Sequence, residues 1–553
     1  MSTHTFRLLV LTCSVSLALL IAPLNARETE KGSLAKADLL DRDSQIRQPS
    51  AFRTEWSGKG DVQYASELIQ TSCTCAGGEH CNGCVDSGDS AVPTCKCASC
   101  KKKKKKPNPC AKSHKPLFYN NDFSYLNDPS YKGKCLGDCM KLNSVGACGR
   151  WGTMDMGGQL RVRYHHEQGM GQDLAGVGTR RFENTNHDFA LTRLRLYTNW
   201  KVNDQVRFYF EGILADASDD GGTYKPRGID RNYGDFLNLF VDLKLTDNLT
   251  VRIGRQELLY GVQRLVSPLD WANTRRTFEG VRSIWKNGDW QIDTFLTNLV
   301  PVVSNDLDEA DYDQTFYGSY VTYSGWENAG MDVYYLGYDN ENTAPAAPGS
   351  DFSLHTLGLR LHGSVDSWLW EFEGGPQFGR QSGLGRNHSA GFATAGIGRK
   401  MADRSWKPTL WFYYDYASGD DGSGNGSYNG FNQLFPLAHK YFGFIDAVQR
   451  SNVEAPNALL TMSPSKKIQF LAWYWHFMAN QAGTAVPGIG GGPASSYQNT
   501  TSKDLGDELD LICKYVVGPR SNCLVGYSHF WRGNKITAPV DADFVYVQWT
   551  SNF

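Results

Sequence analysis

The chain has few long apolar runs. Only residues 8–21 stay largely apolar over 14 positions, directly after Arg7 and ahead of residues 23–26. A transmembrane helix needs about 20 such residues, and this layout is typical of a secretory signal peptide over residues 1–26. A membrane anchor is the alternative. Nothing downstream reaches helix length, so we expect an exported chain that can enter a membrane only through β-strands.

Cysteine is scarce after residue 149, where only Cys513 and Cys523 occur, whereas eleven cysteines lie between Cys73 and Cys148. This shift predicts a boundary near residue 150. The net charge of -2 argues against a nucleic-acid partner. Nucleotide-binding loops and zinc-protease helices are also absent, and the histidines are scattered. We therefore predict no enzyme and no cofactor.

The region before this boundary has two parts. Residues 27–72 have no sustained apolar period and form a polar leader or linker. Residues 73–150 are predicted to be a small disulfide-bonded appendage, because so short a segment cannot bury much core. A zinc site is the alternative for its paired cysteines. Eleven is an odd number, so at least one cysteine has no disulfide partner within the segment.

Two further features of this appendage have open interpretations. Residues 101–106 are six consecutive lysines, which indicate either a solvated linker or an anchor for an anionic polymer or lipid headgroup. Residues 116–126 are rich in aromatic side chains separated by turn-forming residues. They can pack inside a barrel mouth as a plug or clasp its rim.

From Met154 onward the apolar positions repeat every second residue. The repeat includes a segment at residues 441–448 and ends with residues 543–553, where Phe553 is the last residue. Tight turns alternate with long loops rich in glycine, as in transmembrane β-barrels. We therefore predict an all-β fold for residues 151–553, a transmembrane antiparallel barrel of about 18 strands in the outer membrane of a Gram-negative-type bacterium.

The polar face of these strands is densely charged. If the apolar face contacts lipid, the lumen receives many guanidinium groups and several carboxylates, and Arg360 can pair with Glu371 or Glu373 on the neighbouring strand. Guanidinium groups in a narrow channel attract anions. The alternative is a structural ladder of ion pairs. The predicted lumenal arginines from alternation are Arg161, Arg163, Arg193, Arg195, Arg207, Arg252 and Arg360.

Cys513 and Cys523 flank the turn near Gly518 at equal distance. Cysteines so placed can face each other on adjacent strands, so a cross-strand disulfide is possible. Two unrelated cysteines in one hairpin are the alternative.

The segment VRIGRQELLYGVQRLVSPLDWANTRRTFEGVR, residues 251–282, resembles the signature of the alginate export family of outer-membrane proteins, and residues 416–420, 434–443 and 505–510 match further. The resemblance covers residues 150–553 but not the cysteine-rich segment. It implies an 18-stranded monomeric barrel whose arginine-rich lumen passes a polyuronate. By motif position it assigns five residues to the constriction and its supporting loop: Arg252, Arg255, Arg264, Arg282 and Glu279.

Two glycines bear on this assignment. Arg255 falls out of simple alternation and reaches the lumen only if Gly254 marks a β-bulge. Gly254 and Gly261 would let a loop fold back into the bore.

Together these observations predict a passive outer-membrane channel for anionic saccharides, such as alginate-like polyuronates, or for other small polar solutes. The expected partners are outer-membrane lipid, the solute, and the barrel assembly machinery that receives the strand ending at Phe553. A barrel serving mainly as an adhesive scaffold for the cysteine-rich segment is the alternative.

Overall fold

The computed structural model describes residues 108–171, 181–218, 224, 226–343, 350–488, 495 and 498–553. The predictions for the signal peptide, the polar leader, the cysteines from Cys73 to Cys100 and the lysine run lie outside the described residues.

Nineteen antiparallel strands form one sheet in the described part of the chain. A two-residue strand, β1 (Asn143–Ser144), pairs with the start of β2. Strands β2 to β19 each pair with the next strand in sequence. Their bounds are β2 Thr153–Gln168, β3 Asn186–Lys201, β4 Val206–Ala217, β5 Asn232–Lys244, β6 Leu249–Gln256, β7 Thr277–Asn287, β8 Trp290–Val300, β9 Asp311–Tyr323, β10 Ala329–Asn340, β11 Phe352–Val365, β12 Trp368–Gln381, β13 Arg386–Lys400, β14 Thr409–Ala417, β15 Val453–Met462, β16 Ile468–Ala479, β17 Asp504–Gly518, β18 Ser521–Arg532 and β19 Ala542–Asn552.

The last strand closes the barrel by pairing with β2, from Asp543 opposite Gln168 to Asn552 opposite Gln159. Phe553 extends this ladder, because its backbone N–H donates to the Gly158 carbonyl at 2.9 Å. Closure leaves no edge strand, which is the condition for a sheet to lie in hydrocarbon. The predicted 18-stranded transmembrane barrel is confirmed.

The outer face carries an apolar band in the middle of the strands. Its members are exposed side chains that would be unfavourable in water but not in lipid: Ile253, Val281, Leu296, Val333, Leu357, Ile397, Phe412, Leu511, Val525 and Val547. Exposed aromatic residues lie towards both ends of the strands, including Phe208, Trp290 and Trp368 at one end and Tyr233, Tyr312, Phe378 and Trp531 at the other. This distribution matches the two aromatic girdles of an outer-membrane barrel.

The two ends of the barrel differ in their connections. Short turns such as 288–289 and 366–367 join the strands at one end, here called the turn end, and long segments join them at the other, the loop end. Residues 441–448 were predicted as a strand, and that prediction is wrong. They belong to the long connection 418–452, whose apolar side chains are buried inside the barrel rather than alternating on its wall.

Residues 108–152 contain short 3-10 turns and β1 but no long element. The turns are Pro109–Lys112, Phe118–Asn120, Ser124–Asn127, Asp138–Met140 and Ala147–Gly149. Cys110 and Cys135 form a disulfide, while Cys139 and Cys148 are exposed free thiols. Outside this segment the described part also has a 3-10 turn at Ser382–Leu384 and a four-residue α-helix at Ala438–Tyr441. No helix among the described residues is long and apolar enough to span a bilayer.

This N-terminal segment, here called the plug, sits in the turn end of the bore. Leu117, Phe118 and Tyr119 pack against the lumenal rings Tyr197, Tyr209 and Phe240. The Tyr119 hydroxyl donates to the Glu257 carbonyl at 2.7 Å. Of the two sequence-based alternatives for residues 116–126, the structure therefore places the segment inside the barrel.

Candidate functional site

Two connections from the loop end fold into the lumen and pair with each other. Residues 257–276 form the first lumenal loop and residues 418–452 the second. The Phe435 N–H donates to the Leu265 carbonyl at 2.9 Å, and the Leu437 N–H donates to the Gln263 carbonyl at 2.8 Å. The two loops therefore satisfy some of each other's backbone hydrogen-bonding groups, and together they form one layer across the bore.

Gly261 makes the inward fold of the first lumenal loop possible. Its φ is +51°, and a Cβ there would lie 2.5 Å from the Tyr320 hydroxyl. Only glycine adopts this conformation beside another side chain without strain. The expectation that Gly261 lets a loop fold back into the bore agrees with this geometry.

Four arginines of β2 and β3 form one wall of the lumen, called the arginine wall: Arg161, Arg163, Arg193 and Arg195. All are almost completely buried. Arg161 and Arg193 lie directly opposite each other on the paired strands. Both contact the same stretch of the first lumenal loop, since each donates to the carbonyls of Asp270 and Ala272 at 2.7–3.1 Å.

An aromatic stack continues this contact towards the second loop. The Arg163 guanidinium lies 3.5 Å from the centre of the Trp271 ring, which stacks on His439 at 4.0 Å. Arg163 also donates to the Trp271 carbonyl at 3.1 Å. A cation over an indole face is attracted by its quadrupole. The stack therefore links wall, first loop and second loop in one line.

The fourth arginine of the wall, Arg195, belongs to a buried network of charges. Arg195 pairs with Glu211 at 2.6 Å and approaches Glu257 at 3.7 Å. Arg275 on the first loop contacts Glu257 at 2.5 Å and also pairs with Asp270. Buried charges persist in proteins when paired in this way. The network fixes both ends of the first loop to β3 and β4.

The opposite wall, called the acid wall, has the reverse arrangement. Here β12 supplies Glu371 and Glu373, and the loop supplies Arg264, which pairs with both carboxylates at 2.8 Å. Arg360 pairs with Glu371 at 2.8 Å and with Asp332 at 3.1 Å. The predicted pairing of Arg360 across neighbouring strands is present, although Arg264 shares its carboxylate.

Beside Arg264 lies a small cavity of about 10 Å³, lined by Tyr413, Tyr441 and Trp473 among others. That is about the space for one water molecule. Little space therefore remains between Glu371 of the acid wall and Tyr441 of the second loop at this point.

The remaining predicted lumenal arginines lie nearer the plug. Arg252 and Arg207 both pair with Asp242, the former at 2.7 Å. Arg207 donates to the Tyr119 carbonyl at 2.7 Å, which joins the plug to this pair. Arg282 pairs with Asp293 at 2.8 Å. These contacts are structural ion pairs of the kind considered as the alternative to an anion-attracting field.

Arg255 and Glu279 lie elsewhere. The pairing of β5, β6 and β7 continues through Gly254 without a register shift. Arg255 therefore shares the outer face with Ile253, where it contacts Glu279 at 3.3 Å and Asp235 at 3.2 Å. The bulge needed to bring Arg255 into the lumen is absent from these described strands, so placing Arg255 and Glu279 at the constriction is wrong.

Cys513 and Cys523 are free thiols rather than a disulfide. The register sets Cys513 opposite Val525 and Cys523 opposite Tyr515, so the two cysteines are two positions out of step. Equal distance from Gly518 misjudged this register because Gly518 is the last residue of β17 and pairs with Ser521, so the turn is centred on residues 519–520.

Sequence reasoning missed the partners that the loops supply. It assigned Arg264 to the constriction and its supporting loop but did not identify the second lumenal loop, or Glu257 and Asp270 as buried carboxylates. A detectable signal existed, because Leu434-Phe435-Pro436 is an apolar group inside a long polar connection. No group of three or more metal-ligating side chains is arranged to hold an ion in the described part of the chain.

A closed barrel with an apolar outer band, aromatic girdles and a charged, loop-crossed lumen defines an outer-membrane β-barrel channel for small solutes. Sequence comparison identifies the particular family. The chain belongs to the alginate export family, whose sequence profile, described as alginate export, matches residues 153–548. The members of this class are transporters rather than enzymes. A comparison with curated proteins finds no match.

Solved structures with a similar fold include three outer-membrane proteins. Pseudomonas aeruginosa OccK8 (OprE) and P. aeruginosa OpdK with vanillate each share 12% identity, and Acinetobacter baumannii OccAB2 shares 11%. Each has a TM-score of 0.50, and the alignment covers 72% of this chain and 98% of the other. At this identity the likeness concerns the fold.

Proposed function

We propose that the channel passes anionic saccharides, polyuronates or their oligomers, along the arginine wall. The observation that supports this most is the convergence of Arg161 and Arg193 on the carbonyl oxygens of residues 270–272. Guanidinium groups that bind these oxygens offer the same forked donors to carboxylate and hydroxyl oxygens of a sugar acid. The loop thus occupies the position that solute oxygens would take.

The surroundings of the arginine wall suit a sugar as well as a charge. Trp271 presents a ring beside Arg163, and Gln548 accepts from the Arg163 Nε at 2.9 Å. A solute site commonly combines an aromatic surface with a few well-placed polar groups. Passage requires the first lumenal loop to withdraw while solute oxygens replace its carbonyls, and no covalent step is involved.

Ion selectivity tests this proposal. The double variant Arg161→Gln with Arg193→Gln removes two positive charges but keeps hydrogen-bond donors. In planar bilayers under a salt gradient, the reversal potential should move towards cation preference, because the anion-attracting field is weaker. Arg255→Gln, on the outer face, is the matched control and should leave the potential unchanged.

Folding of each variant is checked by heat-modifiable migration on denaturing gels. An unchanged reversal potential in the folded double variant contradicts the proposed role of the arginine wall. Absence of any current above the bilayer background, in the intact protein and in a form without residues 108–152, favours the scaffold alternative instead.

A further inference from the structure

A cavity of about 360 Å³ lies at the turn end, between the plug and the wall formed by β17, β18, β19 and β2. The plug contributes residues around His114 and Phe118, and the wall contributes inward side chains such as Lys514 and Gln548. Neither lumenal loop supplies any of its described lining residues. This cavity, here called the chamber, therefore lies outside the lumenal loops but borders the arginine wall, because its lining residues Gln159 and Gln548 accept from Arg193 at 2.7 Å and from Arg163 at 2.9 Å.

The described lining of the chamber is one-sided in charge. Lys115, Lys514 and Arg520 are cationic, and aspartate and glutamate do not occur among the described lining residues. The other polar groups are neutral amides and hydroxyls: Gln159, Asn522, Gln548, Asn552, Ser521 and Thr550. A concave surface with cations and no carboxylate concentrates anions, and the amides and hydroxyls both donate and accept hydrogen bonds.

Arg520 has a structural part in this arrangement. It pairs with Asp138 at 2.9 Å and donates to the Tyr125 hydroxyl at 2.6 Å and the Ser113 hydroxyl at 3.2 Å. It therefore fastens the plug to the β17–β18 turn. Lys115, whose ammonium donates to the Lys112 carbonyl at 2.9 Å, and Lys514 are the other two cationic side chains that line the chamber.

His114 adds no charge to the chamber. Burial, together with the positive charges of Arg520 and Lys141, lowers the pKa of His114 to about 3. The imidazole is neutral at physiological pH and is a hydrogen-bonding group only. Phe118, which also lines the chamber, presents apolar ring surface.

The volume limits the size of the occupant. Small-molecule sites span about 300–1,000 Å³, so 360 Å³ lies near the lower limit. A space of this size suits one or two sugar rings rather than an extended polymer.

We propose that the chamber is a binding site for a hexuronate or its dimer, with Lys514 as the carboxylate-binding residue and the amides around it as hydroxyl-binding groups. The inference rests on the proposed function, since it names a second place along the same route where the solute is held. It also gives the plug a role, because the plug forms one side of the site.

Binding calorimetry on the full chain in detergent tests the chamber without requiring an open channel. The probes are galacturonate, its dimer and neutral glucose. Lys514→Gln should weaken binding of the dimer about tenfold, because a charge-assisted hydrogen bond is lost, and Lys115→Gln should weaken it less. Lys467→Gln is the matched control, an exposed lysine at the same end and outside the chamber lining.

The outcomes separate this inference from the proposed function. Loss of dimer affinity in Lys514→Gln, with Lys467→Gln unchanged, supports the chamber. Dimer binding that survives in both chamber variants but disappears in Arg161→Gln with Arg193→Gln overturns the chamber and leaves the arginine wall as the binding region. No dimer binding in the intact protein, or equal affinity for glucose, also overturns the chamber, while conduction and selectivity are judged by the bilayer recordings.

Discussion

The arginine wall and the acid wall hold the same loop by opposite means. On the arginine wall the strands provide Arg161 and Arg193. The backbone carbonyls of the loop accept hydrogen bonds from these guanidinium groups, and the Asp270 carboxylate pairs with Arg193. On the acid wall the strands provide Glu371 and Glu373, and Arg264 of the loop forms ion pairs with both. The first lumenal loop is therefore a bridge whose two sides carry complementary charge.

This difference has an energetic consequence. Backbone carbonyls of the loop remain in place whatever side chains are changed, so the arginine wall keeps some acceptors in most variants. The acid wall holds the loop only through ion pairs between a few side chains, in which one carboxylate has two arginine partners. Removing one partner of a buried pair leaves an uncompensated charge, which is strongly destabilising. We therefore expect the acid wall to be the more sensitive side.

Glu371→Ala should have the largest effect. It removes the carboxylate that Arg264 and Arg360 share, and we expect a loss of about 3–5 kcal/mol in the free energy of unfolding. Denaturant unfolding in detergent, followed by tryptophan fluorescence, measures it. Glu279→Ala on the outer face should cost less than about 1 kcal/mol. Similar losses in the two variants would show that the buried network does not anchor the loop.

Asp270→Asn should have a smaller effect of about 2 kcal/mol. It weakens the contacts with Arg193 and Arg275, but the carbonyls of residues 270–272 still accept from the arginine wall. The same unfolding measurement applies. If Asp270→Asn cost as much as Glu371→Ala, the proposed difference between the walls would be wrong.

Trp271→Leu should reduce the free energy of unfolding by about 1–2 kcal/mol, because Arg163 and His439 lose the ring between them. The loosened loop should also increase the mean open-channel conductance in bilayer recordings. Trp290→Leu, at an exposed outer position, is the control. Unchanged conductance together with unchanged stability would show that the stack of Arg163, Trp271 and His439 does not hold the loop in the bore.

The smallest expected effect concerns pH and the docking of the plug. Burial, then the charge of Arg520, lowers the pKa of Lys141 to about 8, while the ordinary value is 10.5. Between these values the undocked plug binds more protons than the docked plug. Docking should therefore strengthen as the pH rises from about 8 to 10.5, and below pH 8 the penalty for charging Lys141 is constant.

Amide hydrogen exchange of residues 108–152 measures this dependence. Lys141→Met should abolish it, whereas Lys112→Met, at an exposed lysine of the same segment, should not. A plug whose protection is independent of pH in the intact protein would show that the Lys141 contact with the Tyr197 hydroxyl at 3.0 Å does not control docking.

Much of the barrel wall could be predicted because successive side chains of a strand point alternately to the lumen and to the outer face. Arg161 and Arg193 were assigned inward from alternation alone, and both are buried in the lumen. Without a bulge, the same alternation places Arg255 on the outer face. The assignment of Arg255 to the constriction followed its position in the family motif instead and was wrong. Residues 441–448 failed for a related reason, since apolar side chains packed inside a bore produce a pattern that resembles a strand.

The sequence by itself determined a closed barrel, because a two-residue period is a local property that forces one face into lipid and the other into the lumen. It also determined the charged character of that lumen. The tertiary structure alone decided which charges of the barrel wall the lumenal loops neutralise, that two loops meet across the bore, and that the plug encloses a chamber. Those outcomes depend on residues far apart in the chain, such as Arg264 and Glu371 at a separation of 107 positions, whose approach no local pattern records.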